Sequence, residues 1–335
     1  MDLLERFARI LTRVPRRAQH AYSGATVPAS HRLPAQNVES SLVQIRAATL
    51  FIALLGGACA SHSGAAASGG IVTLVPSFAD DVYALGAGPQ LVAVSAFTDD
   101  RRAAALPRVA DSSSVDVEEI VALRPNLVIG IPSQARLVEP LRRAHLRVVL
   151  LSDDGYDRIF TNLQTIGALA GRPREAAVLV ARLARETAEL HARTYRFAWH
   201  PRVFIVLDSA PVWTAGSASY ISKLVTIAGG RNAAADLGAP YASYSSEALV
   251  EDRPDVLIAD RAAHLDAVLD REPWRSLRAV RLHRVYSVDS DLLERPGPRY
   301  NDAIRWLVAR LSPIATRPNG VPRGDSPRRN VPRRL

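Results

Sequence analysis

Cysteine, methionine and lysine each occur once in this 335-residue chain. A lone Cys59 excludes an intrachain disulfide and argues against a multi-cysteine metal site. Met1 is the only methionine, so no internal ATG start exists. Lys223 stands alone against 41 arginines, which reads as a bias of the whole chain and not as a binding patch. Enzyme signatures are also missing. There is no G-x-x-x-x-G-K-[ST] loop, no G-x-S-x-G elbow and no H-x-x-x-H pair among the eight dispersed histidines. Gly86-Ala87-Gly88 follows an expected helix and lacks a third glycine, so it reads as a helix C-cap and not as a dinucleotide loop. Asp80-Asp81 and Asp153-Asp154 are adjacent acids of the kind expected at caps or in solvated loops, with acid/base pairing as the alternative.

The formal charge of +9 and pI of 10.2 invite a nucleic-acid reading, and the placement of the charge argues against it. Seven arginines precede residue 60 and six follow residue 312. Between them 28 Arg and Lys223 face 29 Asp and Glu, so the body is close to neutral. Residues 1–45 lack a sustained apolar period and are expected to hold no packed structure. Arg46 then opens A-A-T-L-F-I-A-L-L-G-G-A before Cys59, a positive start, an apolar stretch and small residues at a cleavage point. A signal segment at 46–59 places the expected translation start near Leu42 or Val43. The apolar stretch falls short of the ~20 residues of a membrane span. Residues 60–70 read as a flexible tether.

One stretch occurs twice. Glu118–Ile129 reads E-E-I-V-A-L-R-P-N-L-V-I and Glu247–Ile258 reads E-A-L-V-E-D-R-P-D-V-L-I. Each copy is expected to form a short helix, N-capped by Asp116 or Ser245 and stopped by Pro125 or Pro254, that feeds a buried strand. The duplication predicts two similar lobes. Expected strands are Ile71–Val75, Leu91–Ser95, Leu127–Ile131 and Val148–Leu151 in one lobe (71–156), and Val203–Leu207, Val256–Ala259 and Val285–Val288 in the other (199–312). Helices are expected over Phe78–Leu85, Ile221–Ala228 and Asn301–Leu311. Alternating strands and helices predict mainly parallel sheets covered on both faces. Arg174–Arg196 has neither Gly nor Pro and predicts a rigid helix within a connector at 157–198. Residues 313–335 are Pro-, Arg-, Gly- and Asn-rich and read as a disordered tail.

The order of these features resembles a known family. Ile71–Ser77 followed by Y-A-L-G-A-G, L-V-A-V-S, V-E-E-I-V-A-L-R-P-N-L-V-I, A-G-R-P at Ala170–Pro173 and the second E…R-P-D-V-L-I is similar to the periplasmic binding proteins of cobalamin and iron-chelate ABC importers, over about residues 70–312. The resemblance implies a class III architecture: two α/β lobes with mainly parallel sheets joined by one long rigid helix, and a metal chelate held between them. It also implies that Glu118 and Glu247 pair with arginines of the permease dimer of an importer driven by ATPase subunits. The alternative is that both are first-turn acids favoured by the helix dipole, worth about 0.3–1 kcal/mol each. Gly-Gly-Ala-Cys resembles a lipobox, with Gly56 where Leu is usual, so Cys59 is a lipidation candidate and a membrane anchor outside the cytoplasm is expected; an ordinary cleaved signal with an incidental cysteine stays open.

Loops after the strands should line the cleft. They offer Ser77, Phe78, Phe97 and Pro132 from the first lobe and Trp213, Tyr241, Tyr244, Asp289 and the run Glu294–Arg299, with Arg295 and Arg299 in it, from the second. Aromatic and small polar groups suit a large amphipathic ligand, and arginine suits carboxylates or phosphate. Core packing is the bland alternative for each aromatic. Haem binders of the resembled family present a tyrosine before the first glutamate, where this chain has Ala110–Val115, and bare-metal binders present several His and acidic ligands. A corrinoid or a ferric siderophore remains, and Pro296-Gly297-Pro298-Arg299 is similar to cobalamin binders. No cofactor, resident metal or catalytic residue is expected. The alternatives from other classes are a chelate-modifying enzyme on a two-lobed α/β scaffold and a sensor or scavenger without a permease.

Overall fold

The computed structural model describes residues 69–315. The expected leader, tether start and Cys59, and the chain beyond residue 315, lie outside the described residues.

The chain enters on β1 (Ile71–Thr73), the centre of a five-stranded parallel sheet. Its other strands are β2 (Leu91–Ser95), β3 (Arg108–Ala110), β4 (Leu127–Gly130) and β5 (Val148–Leu150), in the order β3-β2-β1-β4-β5. Side chains alternate across each strand. In β4 Leu127 and Ile129 therefore enter one buried cluster and Val128 the opposite one. The second sheet repeats this arrangement with β6 (Arg202–Val206), β9 (Arg231–Asn232), β11 (Val256–Asp260) and β12 (Val285–Val288), all parallel, in the order β12-β11-β6-β9. Val203, Ile205, Val256 and Ile258 face one core, Phe204, Val206, Leu257 and Ala259 the other. Burial on both faces explains the unbroken apolar runs.

Helices fill the connections. In chain order they are α1 (Pro76–Ala84), α2 (Val117–Leu123), α3 (Glu139–Arg143), α4 (Arg158–Leu169), α5 (Pro173–Thr194), α6 (Tyr220–Ile227), α7 (Ser246–Asp252), α8 (Arg278–Arg281), α9 (Ser290–Leu293) and α10 (Tyr300–Ala315). The repeated units α2-β4 and α7-β11 match closely. The Asp116 side chain accepts from Glu119 N at 2.9 Å and Ser245 Oγ from Ala248 N at 3.1 Å. Arg124 and Arg253 end the two helices, each left-handed with φ 46°. The proline that follows disfavours a right-handed helical residue before it, so both helices stop at the same point.

The long helix α5 spans 22 residues, about 33 Å at 1.5 Å per residue. It packs against α4 so closely that a Cβ on Gly167 would come within 2.4 Å of the Ala176 Cβ. On its buried face, Thr187 Oγ1 lies 2.6 Å from Tyr300 Oη, 2.9 Å from Asn301 Oδ1 and 2.8 Å from Leu183 O. Tyr156, Phe160 and Tyr300 meet edge to face with centroids 5.3 to 5.9 Å apart. One apolar core thus runs from the first sheet through α4, α5 and α10 into the second.

Some expectations are corrected. Asp80 and Asp81 are neither caps nor solvated: both are buried inside α1. Helix α10 continues past Leu311 and through Pro313, whose missing N–H falls in the last turn. A small antiparallel sheet, β7 (Asp208–Ser209), β8 (Val212–Ala215) and β10 (Tyr241–Ser243), was not expected; its strands are too short to show an alternation. Among the described residues no helix is long and apolar enough to cross a membrane.

Candidate functional site

A cavity of about 330 Å³ lies where the two sheets' loops converge. The loop between β5 and α4 brings Asp153, Asp154 and Gly155. The start of α6 brings Ser219 and Tyr220, where Ser219 Oγ caps the helix by accepting from Ser222 N at 3.0 Å. Tyr241 enters from β10, and Glu294 and Pro296 from the turn between α9 and α10. No cationic side chain is among the lining residues.

The electrostatics follow from that inventory. Burial pushes Asp153 above the ordinary carboxylate value, and the neighbouring Asp154 adds to it. Burial, then contact with Asp260, pushes Glu294 up to about 8. Tyr241 is pushed up to about 12 by burial first and then by Glu294, Asp153 and Asp154, so its phenol keeps its proton. The cavity is therefore rich in hydrogen-bond acceptors and phenols.

Only part of the expected site set meets here. Tyr241 lines the cavity. Trp213 stands opposite Ser243 as Ala215 stands opposite Tyr241, and cross-strand partners share a sheet face, so exposed Trp213 extends the same surface by one pair. Ser77 is buried at the start of α1, with its carbonyl oxygen 3.8 Å from where a Cβ on Gly297 would lie. Phe97 is exposed, and its carbonyl accepts from Arg295 Nη2 at 3.3 Å. Pro132 is exposed beyond β4 and does not line the cavity.

Four placements are corrections. Phe78 is fully buried in the core, because α1 begins at Pro76 and carries it inward. Tyr244 lies beyond β10, packs on Phe204 and donates to Asp252, lining a separate hollow beside Glu247. Asp289 is exposed and paired with Arg261 at 3.1 Å. Arg295 is not open to a ligand's carboxylates. It is buried and paired with Asp291, with Asp99 at 2.6 Å and with Asp80 at 3.5 Å, while Arg299 stands 3.9 Å from Asp80. Asp80 and Asp99 belong to the first sheet's side and Asp291 and Arg295 to the second's, so this cluster ties the lobes together beside the cavity.

Asp153, Asp154, Ser219 and Tyr220 were not among the expected ligand contacts, whereas Glu294 and Pro296 belong to the expected run Glu294–Arg299. The adjacent acids and a Ser before an apolar helix were visible signals for three of them. Both repeat acids, Glu118 and Glu247, are exposed on first turns, and Val121 and Val250, one turn on, are exposed beside them. Among the described residues no group of three or more His, Cys, Asp and Glu is placed to hold a metal ion.

Comparison with known proteins places the chain. The family profile described as periplasmic binding protein matches residues 71–292. A Bacillus subtilis protein named as an uncharacterized ABC transporter substrate-binding lipoprotein is 28% identical over 254 residues, covering 72% of this chain and 80% of that one. A vitamin B12-binding protein of Vibrio parahaemolyticus is 28% identical over 237 residues, 70% of this chain and 86% of its own. Among solved structures, the periplasmic vitamin B12 binding protein of Vibrio cholerae aligns with a TM-score of 0.63 at 27% identity, covering 73% of this chain and 96% of that one. The apo periplasmic heme-binding protein of Roseiflexus aligns at 0.68 and 24% identity over 74% and 100%, a likeness of fold.

Proposed function

The chain belongs to the periplasmic binding protein family, and on that premise we propose that it is the substrate-binding component of an ABC importer whose cleft captures a corrinoid such as cobalamin. The observation that supports this ligand is the lining of the cavity. Asp153, Asp154 and Glu294 offer acceptors, Tyr220 and Tyr241 offer flat amphipathic faces, and no cation stands among them. A corrinoid is a large macrocycle fringed with amides, whose N–H groups such acceptors satisfy. Haem carries propionates, and bringing those against buried acids with no facing cation costs desolvation without compensation. Arg295, expected from the sequence to meet ligand carboxylates, is already committed to three carboxylates.

Delivery assigns a role to the repeat. Glu118 and Glu247, each beside an exposed valine, would meet cationic side chains on the two halves of a permease, where charge complementarity sets orientation more than affinity. Cys59 would supply a lipid anchor holding the protein at the outer face of the cell membrane. Neither a nucleic acid nor a covalent reaction enters this reading. A ferric siderophore is the second reading, supported by the same open cleft.

The test is a binding panel on the purified protein: cyanocobalamin, dicyanocobinamide, haemin and ferric hydroxamate and catecholate siderophores, followed by tryptophan fluorescence and absorbance. A corrinoid should bind at about micromolar affinity or tighter, with haemin about 100-fold weaker. Tight haemin binding with no corrinoid binding refutes the ligand assignment, and turnover of a bound corrinoid refutes the transport role.

A further inference from the structure

The turn from α9 into α10 forms part of the cavity wall, with Glu294 and Pro296 both lining it. Arg295 stands between them. Its main chain stays with the cavity, since its carbonyl oxygen accepts from Oη of Tyr220, another lining residue, at 3.4 Å. Its side chain leaves the second lobe altogether. Nη1 donates to Asp99 Oδ1 at 2.6 Å and to Asp80 Oδ2 at 3.5 Å, and Nη2 donates to Phe97 O at 3.3 Å and to Asp291. Asp80 lies on α1, and Phe97 and Asp99 in the loop after β2, so three of these four partners belong to the first lobe. Asp291, four residues earlier on α9, is the partner from the second.

The grip on the first lobe continues along the turn. At Gly297 a Cβ would lie 3.8 Å from Ser77 O, in the first turn of α1. A guanidinium holds its donors in one rigid plane, so several acceptors met at once fix its position as well as its charge. Pro296 fixes its own φ and narrows the backbone choices of Arg295 before it. The wall therefore has little freedom to move while the guanidinium stays where it is, and parting the lobes at this point means drawing Arg295 away from Asp99, Asp80 and Phe97 O together.

We propose that Arg295 is a positioning residue of the ligand cleft: by clasping the first lobe through Asp99 and Asp80 it holds the wall of Glu294 and Pro296 in place, and so governs how long a bound ligand is retained. The retention rests on the cavity being the ligand site, as proposed above; the clasp does not.

Asp99 and Asp291 form a matched pair for the test. Both bind the same guanidinium and their side chains are 51% and 46% exposed, but Asp99 reaches it across the lobes and Asp291 from within one. Neither lines the cavity. Loss of either should lower the melting temperature by a similar small amount. Full-length wild type, Asp99→Ala and Asp291→Ala are compared in two measurements. The first is the dissociation rate of cyanocobalamin, chased with excess dicyanocobinamide. The second, made without ligand, is the spread of distances between spin labels on Arg143→Cys and Asp270→Cys, one exposed site in each lobe, in a Cys59→Ser background. Asp99→Ala should speed dissociation by about threefold or more with little change in association, and should broaden the label distances; Asp291→Ala should leave both near wild type. Equal effects of the two substitutions mark a merely structural ion pair and overturn the assignment, as does an unchanged label distance in folded Asp99→Ala protein. Broadened distances in a protein that fails to bind cyanocobalamin support the clasp and remove the corrinoid reading instead.

Discussion

Arg295→Met removes one guanidinium from a site where three carboxylates depend on it. The Arg295 side chain is only 8% exposed, and Asp80, at 3.5 Å, is only 9% exposed. Breaking a buried pair from one side costs about 3–5 kcal/mol, since the remaining charge is left without compensation. Asp99 and Asp291 have side chains 51% and 46% exposed, so water takes over most of their share, about 0–1 kcal/mol each. Asp80 also keeps Arg299 at 3.9 Å, which softens the loss. A net destabilisation of about 3 kcal/mol at pH 7 is expected, or about 6–12 °C in Tm for a unit of this size.

The pH dependence follows from the directions of the shifts. At Asp99 burial opposes ionisation, but hydrogen bonds from Arg295 and Asp291 and the Arg295 charge outweigh it and hold the carboxyl down at about 2. Its contribution is present above the ordinary value of 3.8 and lost as pH falls through 2. Asp80 is raised by burial against Arg295 and Arg299, and Asp291 by burial and then its contact with Asp99, so both take up protons before pH falls to 3.8. The difference between wild type and Arg295→Met should be full at pH 7, narrow in mild acid and close toward pH 2. Urea unfolding at several pH values measures it. A difference below about 1 kcal/mol at pH 7, or one that does not change with acid, refutes the reasoning.

Changing Glu118 and Glu247 together to Ala should lower ATP-dependent uptake by about tenfold or more while leaving ligand affinity unchanged, since both lie on exposed helix turns away from the cavity lining; intact uptake in cells removes the docking role. Thr187→Val leaves Tyr300 Oη and Asn301 Oδ1 short of a partner and should lower the urea-unfolding free energy by about 1–3 kcal/mol. Glu294→Gln should raise the melting temperature of the ligand-free protein at about pH 8 and leave it unchanged near 4.5. The raised Glu294 value means that the cost of keeping the acid in its site is absent below 4.5 and grows as pH rises toward 8.

The scaffold was legible because its signals are local and repeated. The two E…R-P copies carry their own caps, stops and strand runs, so one reading served twice, and β2 and β12 have the expected bounds. The long helix shows itself through the absence of Gly and Pro over Arg174–Arg196. The site was less legible because it depends on where elements meet. Phe78 follows an expected strand closely and Tyr244 an unexpected one, and nothing adjacent in sequence says that α1 starts early enough to bury the first or that the second turns back onto Phe204. Arg295 looked like a ligand contact until its three acidic partners, two of them about 200 residues away, were placed beside it. Glu294 opens the same run and was legible as part of a cleft loop, but not as a neighbour of Asp260. Its neighbour Asp260 arrives from another strand, and only tertiary structure joins them.

The charge around Arg295 and Arg299 acts before any contact forms. Asp80, Asp99 and Asp291 outnumber the two arginines, and Asp153 and Asp154 add acids to the cavity lining. A cleft lined by one sign of charge focuses its field outward. On the proposed reading, polyanionic chelates would be slowed during diffusion and neutral or cationic ones would not, placing part of the selectivity in the association rate. Outside the cell the salt concentration is set by the surroundings, and the screening length shortens from about 30 Å at 0.01 M to about 10 Å at 0.1 M. On that reading such discrimination would vary with habitat, sharpest in dilute water and weakest in brine.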